Sequence, residues 1–300
     1  MAKLEIKDDR DRLLTFFSTP RRVVSLVPSD TLTLCELGCA SALVGRTDYC
    51  TRPAELAERV PSVGGTKNPR IDEVLALEPD LVLTNQEENT RADLERLAQA
   101  GVRVLVAFPK RVIDGLGQLA RLARVMGVAG DPRVKSMVKS GYEALREANY
   151  AQALRAPIRV FCPIWMDPLM TIHADTFISD MLGVAGASNV FADRVRRYPL
   201  AADLGRARAK AGETLGGRDT RYPRVTIDEV IARAPELVLL PDEPHPFSEA
   251  DADVFRALDI PAARAGAVVT TGGQDLCWYG SQSVGGIARV RALVDRFRAG

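Results

Sequence analysis

The side chains that could do chemistry are aromatic and polar groups that follow predicted strands, and they suit the binding of a ligand. Trp165 follows a strand in a Pro-rich turn, Tyr49 stands among polar residues, and Trp278 and Tyr279 are adjacent in a Gly-rich turn. Aromatic faces stack on flat ligands, and a few polar groups fix their orientation. The alternative for Trp165 is a place in the core, whereas at least one of Trp278 and Tyr279 is expected to line a ligand cleft.

A dense polar run comes directly after a predicted buried strand, and it reads Asn85-Gln86-Glu87-Glu88-Asn89. Loops at the carboxyl ends of parallel strands form the ligand crevice of an α/β fold. The run could therefore bind amide groups of a ligand, or a cation, or nothing. The corresponding loop of the second half, 241–247, is stiffened by prolines and suits a preformed wall.

Two histidines, His173 and His245, lie near the predicted ligand site, and either could ligate cobalt or iron. A lone loop histidine is more often a hydrogen-bonding surface residue, so no metal ligand is assigned. The cysteines form an odd, widely spaced set without a CxxC pair, which argues against a zinc knuckle and excludes a complete disulfide framework: Cys35, Cys39, Cys50, Cys162 and Cys277. The first two are four apart on one predicted helix, where core packing is favoured over metal binding.

No catalytic constellation is present, since the chain lacks GxSxG, HExxH, P-loop and GxGxxG patterns. The sequence therefore predicts no enzyme and no catalytic residue. A net charge of +1 gives no electrostatic argument for nucleic acid. The basic stretch 206–221 is predicted to be an exposed or mobile loop, and the chain is expected to be a monomer.

The chain contains one segment twice, and the two copies position these candidates. IDEVLALEPDLVL at 71–83 returns as IDEVIARAPELVL at 227–239, with nine of the thirteen positions identical. In each copy, apolar residues at helical spacing precede a proline and then a buried strand. A repeat in each half predicts two similar lobes, with a ligand cleft between them.

Short strands alternate with helices in both halves, which favours an α/β fold with parallel sheets. A proline-free helix predicted at 134–154 would span roughly 32 Å, enough to join two lobes stiffly. We therefore predict an N-terminal α/β lobe at 1–128, a connecting backbone helix at 129–155 and a C-terminal α/β lobe at 156–300.

The ordered motifs resemble the cobalamin- and siderophore-binding proteins of ABC importers, and most of all the cobalamin-binding branch of these helical-backbone metal receptors. The resemblance covers residues 20–298 and rests on RVVSLVPS at 22–29, DYC at 48–50, VGGTKNP at 63–69 and LEPDLVL at 77–83. It implies a solute-binding protein that carries a corrinoid or another metal chelate to an ABC permease. The corrinoid would be a transported ligand, not a catalytic cofactor.

In that family the ligand lies flat between the lobes and is held by loops and aromatic side chains. The resemblance and the loops above together nominate the ligand-binding residues Pro28, Ser29, Tyr49, Thr66, Asn85, Glu87, Asn89, Trp165, Tyr222, His245, Trp278 and Tyr279. Thr66 and Tyr222 stand where cobalamin binders often carry tryptophan. This departure leaves room for a corrinoid precursor or another metal chelate.

The resemblance also implies docking residues, because in the family an acid at the start of each repeated helix meets arginines of the permease. By position these acids are Asp72 and Asp228, with Glu73 and Glu229 beside them. A carboxylate near a helix N-terminus is stabilised by the helix dipole and can pair bidentately with arginine. The alternative is that these acids only stabilise the starts of their helices.

The first residues contain no apolar run typical of a signal peptide, and no later segment approaches the roughly 20 apolar residues of a membrane span. The sequence reads as cytoplasmic, whereas the family implies a periplasmic or cell-surface location. Two alternatives stay open. One is a cytosolic chelate-binding protein that docks to no transporter, and the other is a nitrogenase-component-like enzyme, against which the scattered cysteines argue.

Overall fold

The computed structural model describes residues 3–210 and 215–298, which form two compact units. The first unit comprises the residues up to Pro109, Ile113–Glu143 and Trp278–Gly285. The second comprises Lys110–Val112, Ala144–Cys277 and the residues from Gly286 on. The domain boundaries drawn from the sequence stay a prediction, and this division places Trp278–Gly285 with the first unit, although the segment comes late in the chain.

The first unit alternates strands and helices after an N-terminal hairpin. Its strands are β1 (Leu4–Lys7), β2 (Leu13–Phe16), β3 (Val23–Ser25), β4 (Leu43–Arg46), β5 (Leu81–Asn85) and β6 (Val104–Ala107). Its helices are α1 (Pro28–Glu36), α2 (Ala54–Arg59), α3 (Ile71–Ala76), α4 (Arg91–Gln99) and α5 (Val112–Val125), with a 3-10 turn at Ala40–Ala42. The β1–β2 hairpin is antiparallel and was not expected from the sequence.

The main sheet of the first unit is parallel, in the order β4-β3-β5-β6. Its strands are buried on both faces: Leu81 and Leu83 of β5 belong to one apolar cluster, and Val82 between them belongs to another. Alternate residues of a strand point to opposite faces of the sheet. Burial on both faces explains why these strands read as continuous apolar runs.

A long helix, α6 (Pro132–Ala153), follows α5 and contains 22 residues, roughly 33 Å of helix. Its residues up to Glu143 belong to the first unit and those from Ala144 to the second. Asp131 caps its start by accepting the backbone N–H of Arg133 at 2.7 Å. A Cβ on Gly141 would lie 2.6 Å from Leu116, so this glycine permits the close packing of α6 on α5.

The second unit repeats the alternation with a second hairpin inserted. Its strands are β7 (Ile158–Phe161), β8 (Pro163–Trp165), β9 (Met170–Thr171), β10 (Ala187–Asn189), β11 (Leu237–Pro241) and β12 (Val268–Thr271). Its helices are α7 (Phe177–Val184), α8 (Leu200–Asp203), α9 (Ile227–Arg233), α10 (Glu249–Arg256), α11 (Pro261–Arg264) and α12 (Gln274–Cys277); α13 (Ser281–Asp295) begins in the first unit and continues in the second.

The main sheet of the second unit is also parallel, in the order β10-β7-β11-β12. In both main sheets, the first strand in chain order lies between the second and the third, and the fourth lies beyond the third. This shared order confirms the predicted α/β class with two similar lobes of parallel strands.

The repeated segment has the same backbone in both units. It forms α3 and β5 in the first and α9 and β11 in the second. The equivalent residues Glu78 and Ala234, each just before a proline, both adopt left-handed backbone with φ of 46° and 44°. Non-glycine residues seldom take this conformation, so its presence in both copies is a backbone detail that the two copies of the segment share.

Within 3–210 and 215–298, no helix combines the length and the apolar character that crossing a membrane would need.

Candidate functional site

In each unit the strand order reverses between the first and third strands, β3 and β5 in one and β7 and β11 in the other. In open parallel sheets, ligands bind outside the carboxyl ends of the strands at such a reversal. The segments that follow these four strands are therefore the candidate sites. Of the nominated residues, Glu87 and Asn89 follow β5, Trp165 lies on the hairpin after β7, and His245 follows β11.

Three aromatic rings lie side by side at this point of the second unit. Strand β7 leads into the β8–β9 hairpin, which carries Trp165, and β11 leads into the loop that carries His245 and Phe247. The ring centres of Trp165 and His245 are 5.3 Å apart, and His245 meets Phe247 edge-on at 4.6 Å. We call Trp165, His245 and Phe247 the aromatic row.

The aromatic row is held at both ends. The indole Nε1 of Trp165 donates a hydrogen bond to the backbone oxygen of Asp167 at 3.0 Å, which fixes the ring on its turn. Phe247 is buried, whereas 43% of Trp165 is exposed. The row therefore presents the Trp165 indole to solvent, and the buried Phe247 anchors its other end.

The exposed face of the hairpin extends the aromatic row. Met170 pairs with Trp165 on one side and with Arg224 on the other. Directly paired residues point to the same face of a sheet, so these three side chains share one face. The opposite face carries the buried Pro163 and Thr171.

Tyr222 lies on the strand-like segment beside this hairpin. The backbone N–H of His173 donates to the oxygen of Arg221 at 2.8 Å, and that of Thr171 donates to the oxygen of Pro223 at 3.0 Å. The Arg221 guanidinium lies 5.5 Å from the centre of the Tyr222 ring. Tyr222, Trp165 and His245 thus belong to one region of the second unit.

In the first unit, Tyr49 is the nominated residue with the most exposed side chain, at 63%. A Cβ on Gly65 would lie 3.5 Å from its ring, so Tyr49 lies beside the backbone that leads to Thr66. Thr66 and Ser29 are buried, and Pro28 opens helix α1. Tyr49 is therefore the nominated residue of this loop cluster that is most open to solvent.

The two asparagines of the polar run brace their own loop. Asn89 accepts a hydrogen bond from the backbone N–H of Asn85 at 2.9 Å and donates to the backbone oxygen of Thr66 at 2.8 Å. Asn85 accepts the backbone N–H of Glu87 at 2.7 Å. Both asparagine side chains are buried, which indicates a structural use of the amides. Their predicted ligand-binding role stays a prediction.

Trp278 and Tyr279 are both buried, at 6% and 4% exposure. The hydroxyl of Tyr279 accepts a hydrogen bond from Nδ2 of Asn85 at 3.3 Å and donates to Oδ2 of Asp30 at 3.4 Å. Gln118 donates to the same carboxylate at 3.2 Å. Sequence reasoning missed Asp30 and Gln118, and Asp30 gave no distinctive signal because acids are common in the first turn of a helix.

The environment of Asp30 changes its protonation. Burial raises its pKa from an ordinary 3.8 to about 7, against the lowering effect of the hydrogen bonds from Gln118 and Tyr279. Burial and the nearby Asp30 charge also raise the pKa of Tyr279 well above its ordinary value. Near neutral pH this network therefore contains a carboxyl group close to its midpoint of ionisation.

The two histidines differ in their surroundings. Nδ1 of His173 accepts the backbone N–H of Asp175 at 3.0 Å, so a neutral His173 carries its proton on Nε2, which then has no lone pair for a metal. His245 contributes its ring to the aromatic row. Among the residues that the structure describes, no group of three or more His, Cys, Asp or Glu side chains is arranged to hold a metal ion.

All five cysteines are free thiols. Burial raises the pKa of Cys35 to about 11 and that of Cys162 to about 12, so both are protonated at neutral pH. Cys39 belongs to an apolar cluster of the first unit. Metal binding needs the thiolate, so the structure favours packing over ligation for these residues.

The acids at the start of α3 are exposed and paired. The Asp72 side chain is 85% exposed and forms an ion pair with Arg96. Glu73 pairs with Arg70 at 2.6 Å. Exposed pairs of this kind contribute little to stability, so neither carboxylate is prevented from exchanging its partner.

The acids at the start of α9 are divided between two uses. Glu229 completes a capping box with Thr226 and accepts a hydrogen bond from Arg194 at 3.0 Å. Arg194 is buried and also binds the buried Asp203 at 3.0 Å. Asp228 is exposed. Glu229 thus belongs to a structural network, whereas Asp228 is the more exposed of the two acids.

Comparison with protein families gives a match to a model described as periplasmic binding protein, over residues 23–273. The vitamin B12-binding protein of Pectobacterium atrosepticum is 28% identical over 213 residues, which cover 66% of this chain and 76% of that protein. An uncharacterized ABC transporter substrate-binding lipoprotein of Bacillus subtilis is 31% identical over 198 residues, 63% of this chain and 61% of that one.

Solved structures share the fold at lower identity. The periplasmic vitamin B12-binding protein of Vibrio cholerae superposes with a TM-score of 0.73 at 18% identity, covering 94% of this chain and 99% of that one. The periplasmic heme-binding protein of Roseiflexus sp. RS-1 gives 0.72 at 18% identity, covering 94% and 100%. At such identities the likeness establishes the fold alone.

Proposed function

Because the chain belongs to the periplasmic binding protein family, we propose that it binds a corrinoid or another metal chelate and delivers it to an ABC importer. The relatives are binding proteins and not enzymes, in agreement with the sequence, and this sets the nitrogenase-component-like alternative aside. In the relatives named for vitamin B12 or heme, the chelate is cargo and not a catalytic cofactor.

The aromatic row is the observation that carries this proposal. Trp165 and His245 come from the loops after β7 and β11, where the strand order reverses, and they were nominated independently from the sequence. A flat, partly apolar chelate can stack on an aromatic surface, with polar groups at the border fixing its orientation. Tyr222 and, in the first unit, Tyr49 and Thr66 stay proposed contacts.

The identity of the chelate is the finer question. Thr66 and Tyr222 replace the tryptophans that the cobalamin-binding branch often carries, while Trp165 keeps an aromatic ring at the second unit's site. We propose a tetrapyrrole or corrin ring, since a large flat ring can stack on the exposed indole of Trp165 and a compact metal complex offers no such face.

Titration of the purified protein, followed by intrinsic tryptophan fluorescence, tests the binding. Cobalamin, cobinamide, hemin and ferric siderophores are compared with metal-free siderophore as control. We expect quenching by at least one ring chelate. In Trp165→Ala, where the exposed fluorophore is gone and binding is followed by the absorbance of the chelate, we expect a loss of affinity of roughly tenfold, as stacking energies suggest. No response to any chelate would overturn the proposal.

Docking to a permease is the second part of the proposal. Asp72 and Asp228 are the exposed acids at equivalent positions of the repeat, and each can accept an arginine of a partner bidentately. Delivery to an importer further requires a periplasmic or cell-surface location, as the names of the relatives indicate for those proteins.

Cell fractionation and reconstituted transport test docking separately from binding. The double variant Asp72→Ala/Asp228→Ala is expected to keep its chelate affinity and to lose stimulation of the permease ATPase. A chelate-binding protein found only in the cytosol, with no effect on any permease, would support the alternative in which it docks to no transporter.

A further inference from the structure

The segment 194–224, which we call the basic arm, is far more positive than the rest of the chain. It contains nine arginine and lysine residues and three acids, in a protein whose net charge is +1. The remainder of the chain is therefore net negative. Residues 211–214 of the arm lie outside the described residues, and the inference rests on its other parts.

Two charged residues of the arm, Arg194 and Asp203, form a buried ion pair. Arg194 binds Asp203 and Glu229, and Asp203 also accepts the backbone N–H groups of Arg197 and Arg224 at 2.9 and 2.8 Å. The Asp203 carboxylate is thus fully engaged by a buried arginine and two amides.

Arg196 and Arg224 are the arginines of the arm that each keep a buried side-chain donor without a partner in the described part of the chain. Nε of each is buried and has no hydrogen-bond partner among the described residues. Burial, and next the charge of Arg196, lowers the pKa of Arg224 below its ordinary value. Two neighbouring guanidinium groups with unsatisfied donors would gain from an anion held between them, because each donor lacks an acceptor.

Tyr198 lies against the guanidinium group of Arg196. Its ring centre lies 4.7 Å from the Arg196 guanidinium and 5.3 Å from that of Arg218, and its hydroxyl donates to the backbone oxygen of Asp219 at 2.7 Å. The backbone N–H of Arg196 donates to the oxygen of Thr220 at 2.7 Å. These contacts hold the Arg196 backbone and the Tyr198 ring in place.

The pair adjoins the aromatic row. Arg224 shares the exposed face of the hairpin with Met170 and Trp165. With neighbouring strands about 4.8 Å apart, the backbones of Arg224 and Trp165 lie roughly 10 Å from each other. A ring that stacks on Trp165 would therefore place a substituent on its edge within reach of the arginines.

We propose that Arg196 and Arg224 form an oxyanion subsite, and that the ligand is a ring chelate with carboxylate or phosphate groups on its edge. This inference rests on the proposed function and specifies the class of its ligand. The shared chemistry is an oxyanion that bridges two guanidinium groups, whether the anion is a peripheral carboxylate or a phosphodiester.

Matched pairs of chelates test the subsite and distinguish its two sources. Hemin is compared with hemin dimethyl ester, which lacks the free carboxylates, and cobalamin with cobinamide, which lacks the phosphodiester. Affinity is measured by tryptophan quenching in the full chain. We expect the acidic member of at least one pair to bind roughly tenfold or more tightly, as charge-assisted hydrogen bonds do.

Variants then assign the preference to residues. In Arg196→Gln/Arg224→Gln the acidic member should lose that advantage while the neutral member binds as before, which also shows that the variant folds. Arg208→Gln is the matched control, because Arg208 is an exposed cation of the same arm. It should leave both affinities unchanged.

Two results would overturn the inference, and they differ in what they say of the proposed function. If both members of each pair bind equally, or if the double variant keeps the preference, the subsite is wrong and chelate binding stands. If no member of either pair binds, the proposed ring chelate is wrong and the subsite is refuted with it.

Discussion

The hydroxyl oxygen of Tyr279 lies 3.4 Å from Oδ2 of Asp30, although 249 positions of the chain separate the two residues. Nearby, the backbone N–H of Ser281 donates to Oγ1 of Thr33 at 3.1 Å. Both contacts join Trp278–Gly285 to α1. A segment from the end of the chain therefore completes the core of the first unit, with a buried carboxyl at its centre.

The buried carboxyl predicts a pH-dependent stability. Because the folded pKa of Asp30 is about 7 and its ordinary value is 3.8, the folded state holds a proton that the unfolded chain releases between these values. The stability contributed by protonation is complete below pH 3.8 and is lost as the pH rises to about 7. At roughly 1.4 kcal/mol per pKa unit, the loss amounts to roughly 4 kcal/mol.

Asp30→Asn should remove this contribution to the pH dependence. We expect the free energy of unfolding of the variant, relative to the wild type, to increase between pH 4 and pH 7.5, as measured by urea denaturation. Glu58→Gln, at an exposed acid, is the control and should leave the profile unchanged. Parallel profiles for Asp30→Asn and the wild type would contradict the assignment.

Gly280 explains how the late segment approaches α1 so closely. Its φ is +75°, and a Cβ would lie 2.3 Å from Oγ1 of Thr33, which is held by Ser29 and Ser281. We expect Gly280→Ala to destabilise the protein by the left-handed penalty of roughly 1–2 kcal/mol and by a steric cost in addition.

Gly101→Ala separates these two costs. Gly101 also has a positive φ, +80°, but a Cβ there would meet nothing within 4 Å. Urea denaturation should therefore show only the backbone penalty for Gly101→Ala and a clearly larger loss for Gly280→Ala. Equal losses would mean that Thr33 moves aside without cost.

The architecture was predictable because the residue types of the duplicated segment show where its helix ends and where its strand begins. Helical spacing before Pro79 and Pro235 and apolar triplets after them indicated α3, β5, α9 and β11. The contact between Asp30 and Tyr279 was not predictable. Nothing in local sequence shows which distant residue will share a buried site, and the late segment was assigned to the second lobe by its position.

The candidate site was predictable where the side chain follows a strand end. Trp165 and His245 were nominated from such loops, and the structure brings their rings together. For Asn85 and Asn89 the same reasoning identified the loop but not the use of the amides. A side chain that can bind a ligand can equally hydrogen-bond its own backbone, and only geometry distinguishes the two uses.

The two tryptophans differ in exposure, so a soluble quencher should affect their fluorescence to different extents. Trp165 is 43% exposed and Trp278 is 6% exposed. Acrylamide should quench the wild type in two phases, and Trp165→Phe should lose the accessible phase and shift the emission to shorter wavelength. In Trp278→Phe the accessible phase should persist. Equal quenching of both variants would contradict the placement of the aromatic row.

The acids of α9 predict opposite effects at adjacent positions. Glu229→Gln breaks an ion pair with the buried Arg194 and weakens the capping box with Thr226. We expect a loss of roughly 1–3 kcal/mol in the free energy of unfolding, as for hydrogen bonds to charged groups. Asp228→Asn, at the exposed neighbour, should lie within about 0.5 kcal/mol of the wild type.

In permease stimulation, the same two variants should differ in the opposite sense. With chelate bound to saturation, Asp228→Asn is expected to reduce stimulation of the ATPase, because the charge that would pair with the permease is gone. Glu229→Gln, assayed below its melting temperature, should stimulate as the wild type does, since its carboxylate is committed to Arg194 within the second unit. If Glu229→Gln alone reduced stimulation, the docking role would belong to Glu229, and the ion pair with Arg194 would have to open when the permease binds.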